Sequence, residues 1–73
     1  MNVKITAGSW AKKYNPPDAL ELNSGAKISD VLLIINIPAD EVGLVSLNGV
    51  AKPRETALSD GDSLQIFPVI VDG

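Results

Sequence analysis

The chain has 73 residues, 45% of them apolar and 21% charged, with six Lys and Arg against nine Asp and Glu for a net charge of −3. That length implies one domain, residues 1–73, with a thin core, because so small a chain buries only about 60% of the surface it exposes when unfolded. Cysteine and histidine are absent, which excludes disulfides, thiolate nucleophiles, imidazole acid/base chemistry and nearly every zinc or copper site. With no basic cluster beyond Lys12-Lys13, nucleic acid is not an expected partner. No run reaches the ~20 apolar residues of a membrane span, and Met1-Asn2-Val3-Lys4 leads into alternating residues without a signal-peptide core. The expected compartment is the cytoplasm.

From Met1 to Ala7, Val3 and Ile5 alternate with Lys4 and Thr6, the period of a half-buried strand. Trp10 and Tyr14 are four apart around Ala11-Lys12-Lys13, so one helical turn would set both rings on one face. Asn15-Pro16-Pro17-Asp18 breaks any helix there. Leu20 and Leu22 flank Glu21 as a short second strand, and Ser24-Gly25 is the next turn.

Ser29 is the expected N-cap of a helix, Asp30 suits the positive end of its dipole, and Val31-Leu32-Leu33-Ile34-Ile35 follows with apolar residues on every side. Such a run also fits a buried strand. The cap before it and Asn36-Ile37-Pro38 after it favour a short helix largely covered by a sheet. Pro38 to Val42 reads as a turn, and Gly43 to Leu47 as a strand ending in Asn48-Gly49, a hairpin signal because both residues tolerate the positive φ of a type I′ turn. Val50 to Ala57 returns irregularly around Pro53, the mark of an edge or a bulge. Ser59-Asp60-Gly61-Asp62 is a turn, and the last strand starts at Ser63. The order β, β, α, β, β, β makes an α+β fold, a mixed sheet with one main helix on a single face and Val45 or Leu47 at its centre.

The last residues, Phe67-Pro68-Val69-Ile70-Val71-Asp72-Gly73, are the leading candidate for the working part. Pro68 cannot donate to a sheet ladder, so pairing should weaken there and leave residues 69–73 as a projecting tail, extending by up to about 3.3 Å per residue. Period two puts Leu64 and Ile66 on one face and Gln65 and Phe67 on the other. Phe67 is then either an exposed partner anchor beside the tail or packed beneath the Pro16-Pro17 loop.

Other features read as structural. Asp60-Gly61-Asp62 lacks the ligand series and closing Glu of a calcium loop and is a turn. Lys52, Arg54 and Glu55 fit a solvated edge loop better than an anion site. Trp10 and Tyr14 fit a small satellite core better than a ligand platform.

Taken together, Leu20-Glu21-Leu22 followed by Gly25-Ala26-Lys27-Ile28-Ser29-Asp30-Val31-Leu32, then Val42-Gly43-Leu44-Val45, Leu47-Asn48-Gly49, Thr56-Ala57-Leu58, Asp60-Gly61-Asp62 and Ile66-Phe67-Pro68, resemble a known family. It is the small sulfur-carrier proteins of molybdopterin and thiamine biosynthesis, the MoaD/ThiS-like branch of the ubiquitin-like β-grasp fold. The Phe-Pro pair is closer to the molybdopterin branch. The resemblance implies that the Gly73 carboxylate is adenylated by a ubiquitin-activating-like enzyme using ATP, and is then converted with a sulfur donor to a thiocarboxylate. A large synthase subunit or another sulfur-accepting enzyme would take the sulfur. Gly73 would be the modified residue, and Phe67, Pro68, Val69, Ile70, Val71 and Asp72 the partner-binding segment. The chain itself would bind no cofactor or metal and would be a co-substrate or small subunit, not an enzyme.

One departure bears on the chemistry: Asp72 stands where the family has glycine. It adds a Cβ and a second negative charge beside the carboxylate that must approach ATP. At roughly 5 Å such a pair costs under 1 kcal/mol in water and several at the effective dielectric of a protein site. Asp72 therefore supports an alternative, a non-covalent β-grasp interaction module that has lost carrier chemistry. An enzyme in its own right is the weakest reading, since no nucleophile and base pair can be assembled from these residues.

Overall fold

A computed structural model describes residues 1–70. Its elements are β1 (Asn2–Ala7), a 3₁₀ helix (Ser9–Tyr14), β2 (Ala19–Glu21), α1 (Ile28–Ile35), a 3₁₀ turn (Ala39–Glu41), β3 (Val42–Leu47), β4 (Val50–Ala51) and β5 (Ser63–Pro68). The strands form one mixed sheet in the order β2-β1-β5-β3-β4. β1 pairs with β5 in parallel, and the other pairings are antiparallel. The last strand thus inserts between two hairpin-like units and becomes the centre of the sheet. Val45 and Leu47 are buried but lie on β3, one strand away from the centre.

One face of the sheet is closed. Val3 and Ile5 from β1, Val45 and Leu47 from β3, and Leu64 and Ile66 from β5 join Ile28, Val31, Leu32 and Ile35 of α1 in a single core. Val3, Ile28, Val31 and Leu64 are its largest fully enclosed side chains. Trp10 and Tyr14 are half-buried against this core and Ala11 is fully buried within it, which bears out the packing reading of the two rings. The local helix is 3₁₀, whose three residues per turn do not align positions 10 and 14 as an α-turn would.

The helix start differs from the expected one. Lys27 precedes α1 and Ser29 lies inside its first turn. The reason is tertiary: Ile28 N–H donates to Thr56 O at 3.1 Å and Ser29 N–H to Arg54 O at 2.9 Å, so a neighbouring loop satisfies N–H groups that a serine cap would otherwise serve. Asp30 Oδ2 accepts the Lys27 N–H at 2.9 Å. Nor is the helix covered on most sides, because Leu33 and Ile34 remain 78% and 56% exposed. An eight-residue helix on one side of a sheet has an outer surface with nothing to cover it.

Arg54 is likewise not a solvated loop residue. Its Nη2 donates to Val42 O at 2.6 Å and its Nη1 to Ala39 O at 3.3 Å, pinning the loop after β4 to the start of β3. The hairpin turn is as expected, with Asn48 at φ 53° and Gly49 at φ 85°. Asn48 also braces the next turn: its Nδ2 donates to Asp62 Oδ1 and its Oδ1 accepts the Ser63 N–H, both at 2.9 Å. Asp60 Oδ1 accepts the Asn2 N–H at 2.7 Å and Asp62 Oδ2 the Ser59 N–H at 2.7 Å, so these carboxylates serve as turn acceptors. No helix among the described residues is long and apolar enough to cross a membrane.

Candidate partner-docking site at the end of the central strand

Among the described residues the second face of the sheet carries no helix, and its polarity changes along β5. In one cross-strand row Thr6, Gln65, Ser46 and Ala51 stand side by side, and the Ser46 hydroxyl donates to Gln65 Oε1 at 3.0 Å. Two residues further along β5 the row becomes apolar, with Phe67 directly opposite Leu44. Such opposed residues on one face have Cβ atoms about 4.5–5.5 Å apart. Phe67 is 42% exposed and Leu44 49%, followed by Val69 at 44% and Ile70 at 87%. The period-two reading of β5 is therefore correct, and of the two options for Phe67 the structure takes the open face.

β5 ends at Pro68, paired with Val42. Among the described residues one further bond holds the chain beyond it: Val69 N–H donates to Glu41 O at 3.0 Å. The first residue of the expected tail is thus tied to the rim of the sheet, and Ile70 is the first to stand clear of it. Beside this exit, Trp10, Lys13, Asp40, Glu41, Pro68 and Val69 line a shallow cleft of about 370 Å³. Lys13 Nζ meets Glu41 Oε1 at 3.4 Å and lies 5.2 Å from the Tyr14 ring centre. This exposed ion pair contributes less than about 1 kcal/mol, so it shapes the cleft more than it stabilises the fold.

Of the site residues expected from the sequence, Phe67, Pro68, Val69 and Ile70 are thus brought together at the end of the central strand. Val71, Asp72 and Gly73 lie outside the described residues. Three contributors were missed: Leu44, the Glu41 carbonyl and Gly43, over which the Pro68-Val69 backbone passes. A signal existed for Gly43, since a glycine within a strand pattern marks a bulge or a close approach. Leu44 carried none, because its partner across the sheet is set by a register that only the fold supplies.

Comparison with known proteins agrees with this architecture. SAMP1 from Haloferax volcanii superposes with a TM-score of 0.76 at 17% identity, with 100% of each chain covered. A putative molybdopterin converting factor subunit 1 from Pyrococcus furiosus gives 0.78 at 21%, covering 96% of this chain and 99% of that one. A further Haloferax volcanii protein, solved in solution, gives 0.76 at 22%, covering 100% and 87%. At these identities the likeness establishes the ubiquitin-like β-grasp fold. No curated protein matches the chain. The family model described as Mut7-C ubiquitin matches residues 18–72, three quarters of the sequence, from just before β2 to Asp72. With its mixed five-stranded sheet and single main helix, the chain belongs to the Mut7-C ubiquitin family.

Proposed function

We propose that this protein is a sulfur carrier whose Gly73 carboxylate is activated by a separate adenylating enzyme. The observation that carries the reading is the site at the end of β5: the central strand leads its chain out past an exposed apolar pair, Phe67 opposite Leu44, into the exposed residues Val69 and Ile70. A protein partner can grip that surface while the residues beyond it enter its active site. Exposed aromatic and aliphatic side chains gathered on one patch are typical anchors of such interfaces. The names of the structural relatives, SAMP1, a small archaeal modifier protein 1 and a putative molybdopterin converting factor subunit 1, also favour it.

In the proposed reaction a Gly73 carboxylate oxygen attacks the α-phosphorus of ATP, the bond to the β-phosphate breaks, and pyrophosphate leaves. Sulfur at the sulfide level from a donor then attacks the acyl carbon and AMP departs, leaving a thiocarboxylate for a synthase or other acceptor. The carrier supplies only the acyl group. This suits a chain without cysteine or histidine. The acceptor is a molybdenum or tungsten pterin or a thiamine precursor, with the molybdopterin side favoured by the Phe67-Pro68 pair.

Incubation with an adenylating enzyme, ATP and a sulfur donor should add the mass of one oxygen-to-sulfur exchange, confined to the last residue, and deletion of Gly73 should abolish it. Asp72 favours the second reading, a non-covalent interaction module. The variant Asp72→Gly separates the two. If neither the native chain nor Asp72→Gly forms an adenylate or thiocarboxylate, the carrier reading fails and the module replaces it. If turnover by the cognate enzyme is unchanged or slower in Asp72→Gly, that enzyme has a pocket built for the aspartate.

A further inference from the structure

The register between β3 and β5 slips at one place. Val42 pairs with Pro68 and Leu44 with Phe67, so Gly43 is the extra residue of a β-bulge, a device that bends a strand and re-aims the chain beyond the bend. A Cβ built on Gly43 would lie 2.6 Å from Pro68 O, 2.9 Å from Val69 Cα and 3.0 Å from Pro68 C. All three are backbone atoms, which no rotamer change can move aside. Gly43 is not among the glycines at positive φ, so what it provides is space. That space lets the chain pass close beside β3 to the last tether among the described residues, the 3.0 Å bond from Val69 N–H to Glu41 O. Pro68 has no N–H to offer, which leaves Val69 as the donor that fixes the direction in which Ile70 departs.

We propose that Gly43 is a positioning residue for the carboxyl-terminal segment: its missing side chain lets Pro68 and Val69 cross the bulge and aims the residues beyond Val69 at the active site of the adenylating partner. The consequence for activation rests on the carrier reading, whereas the geometric part does not. Any side chain at position 43 must displace the crossing backbone by at least about 0.8 Å to restore an ordinary contact of 3.4 Å in place of 2.6 Å. Displacements near 1 Å at a reacting group can cost on the order of 100-fold in rate. Phe67 and Leu44 are paired across β5 and β3 and keep that pairing under such a shift, so the loss falls chiefly on turnover.

The test is Gly43→Ala in the full chain, read in two ways. Amide exchange by NMR should quicken about tenfold at Val69, the equivalent of one hydrogen bond, while the amides of Val45 and Ile66 keep their protection. With the adenylating enzyme of the source organism, ATP–pyrophosphate exchange should show kcat reduced roughly 10- to 100-fold and the KM for the carrier within about twofold. Native Val69 protection in Gly43→Ala, or a native kcat despite its loss, overturns the proposal. So does a fall that lies wholly in KM. If Gly43→Ala does not fold, Val69→Pro removes the tethering N–H with no atom added at position 43, and the same kcat loss is required of it. If the native chain itself is never adenylated, the carrier reading fails instead, and the Val69 exchange alone decides whether Gly43 sets the path.

Discussion

The two faces of the sheet are drawn from the same strands, often from adjacent residues, and they do different work. On β5, Leu64 and Ile66 point into the core and are almost fully enclosed, while Gln65 and Phe67 between and after them face away from the helix and are exposed. Each closed-face residue is surrounded by partners from α1, β1 and β3. The open face has cross-strand neighbours only, so removing one of its side chains leaves a dent in a surface rather than a cavity. Alternation along one strand thereby separates what holds the fold from what is available to a partner, and a substitution on one face should leave the other's role unchanged.

The sharpest way to break this division is a pair of substitutions three residues apart. Leu64→Ala removes the fully buried centre of the core and should cost about 3 kcal/mol, within the 2–5 kcal/mol usual for such truncations. That is a large part of the roughly 4–11 kcal/mol available to a domain of this size. Denaturant midpoints would show it, and a loss below about 1 kcal/mol would mean that the closed face is not where stability resides. Phe67→Ala should do the reverse. Affinity for the proposed adenylating partner, measured by calorimetry, should fall by roughly 1–3 kcal/mol, with the unfolding free energy lowered by no more than about 1 kcal/mol for the lost cross-strand contact with Leu44. If the variant unfolds without a separable loss of binding, Phe67 belongs to the core after all.

A smaller effect is expected at Leu33, an apolar residue of the same kind as Leu64 but on the outer surface of α1. Leu33→Ser should shift stability by less than about 0.5 kcal/mol, as for most exposed substitutions. A loss comparable to that of Leu64→Ala would show that the outer helix surface is covered in solution, and thermal melts at several protein concentrations would reveal whether a second copy covers it.

Much of this was legible before the fold was known, because it depends on local rules. Alternation at Val3 and Ile5 and again at Leu64 and Ile66, the type I′ preference of Asn48-Gly49, and the missing donor of Pro68 are properties of short segments. They located the strands, the hairpin and the end of β5, and they placed Phe67 on the face opposite Leu64. The resemblance of the whole pattern to small β-grasp carriers pointed to the same segment.

What only the tertiary structure decided are relations between segments distant in sequence. The carbonyls of Arg54 and Thr56 reach the start of α1 and make a serine cap unnecessary. The Arg54 guanidinium becomes a clamp because β3 begins within its reach. Leu33 and Ile34 stay exposed because the sheet supplies one covering layer, not two. β5 is central because it pairs with β1 and β3 at once, and that pairing sets Leu44 opposite Phe67 and brings the Pro68-Val69 backbone close against Gly43. Propensity and periodicity act over a few residues, whereas strand register and loop-to-helix hydrogen bonds are fixed only when the remote partners meet.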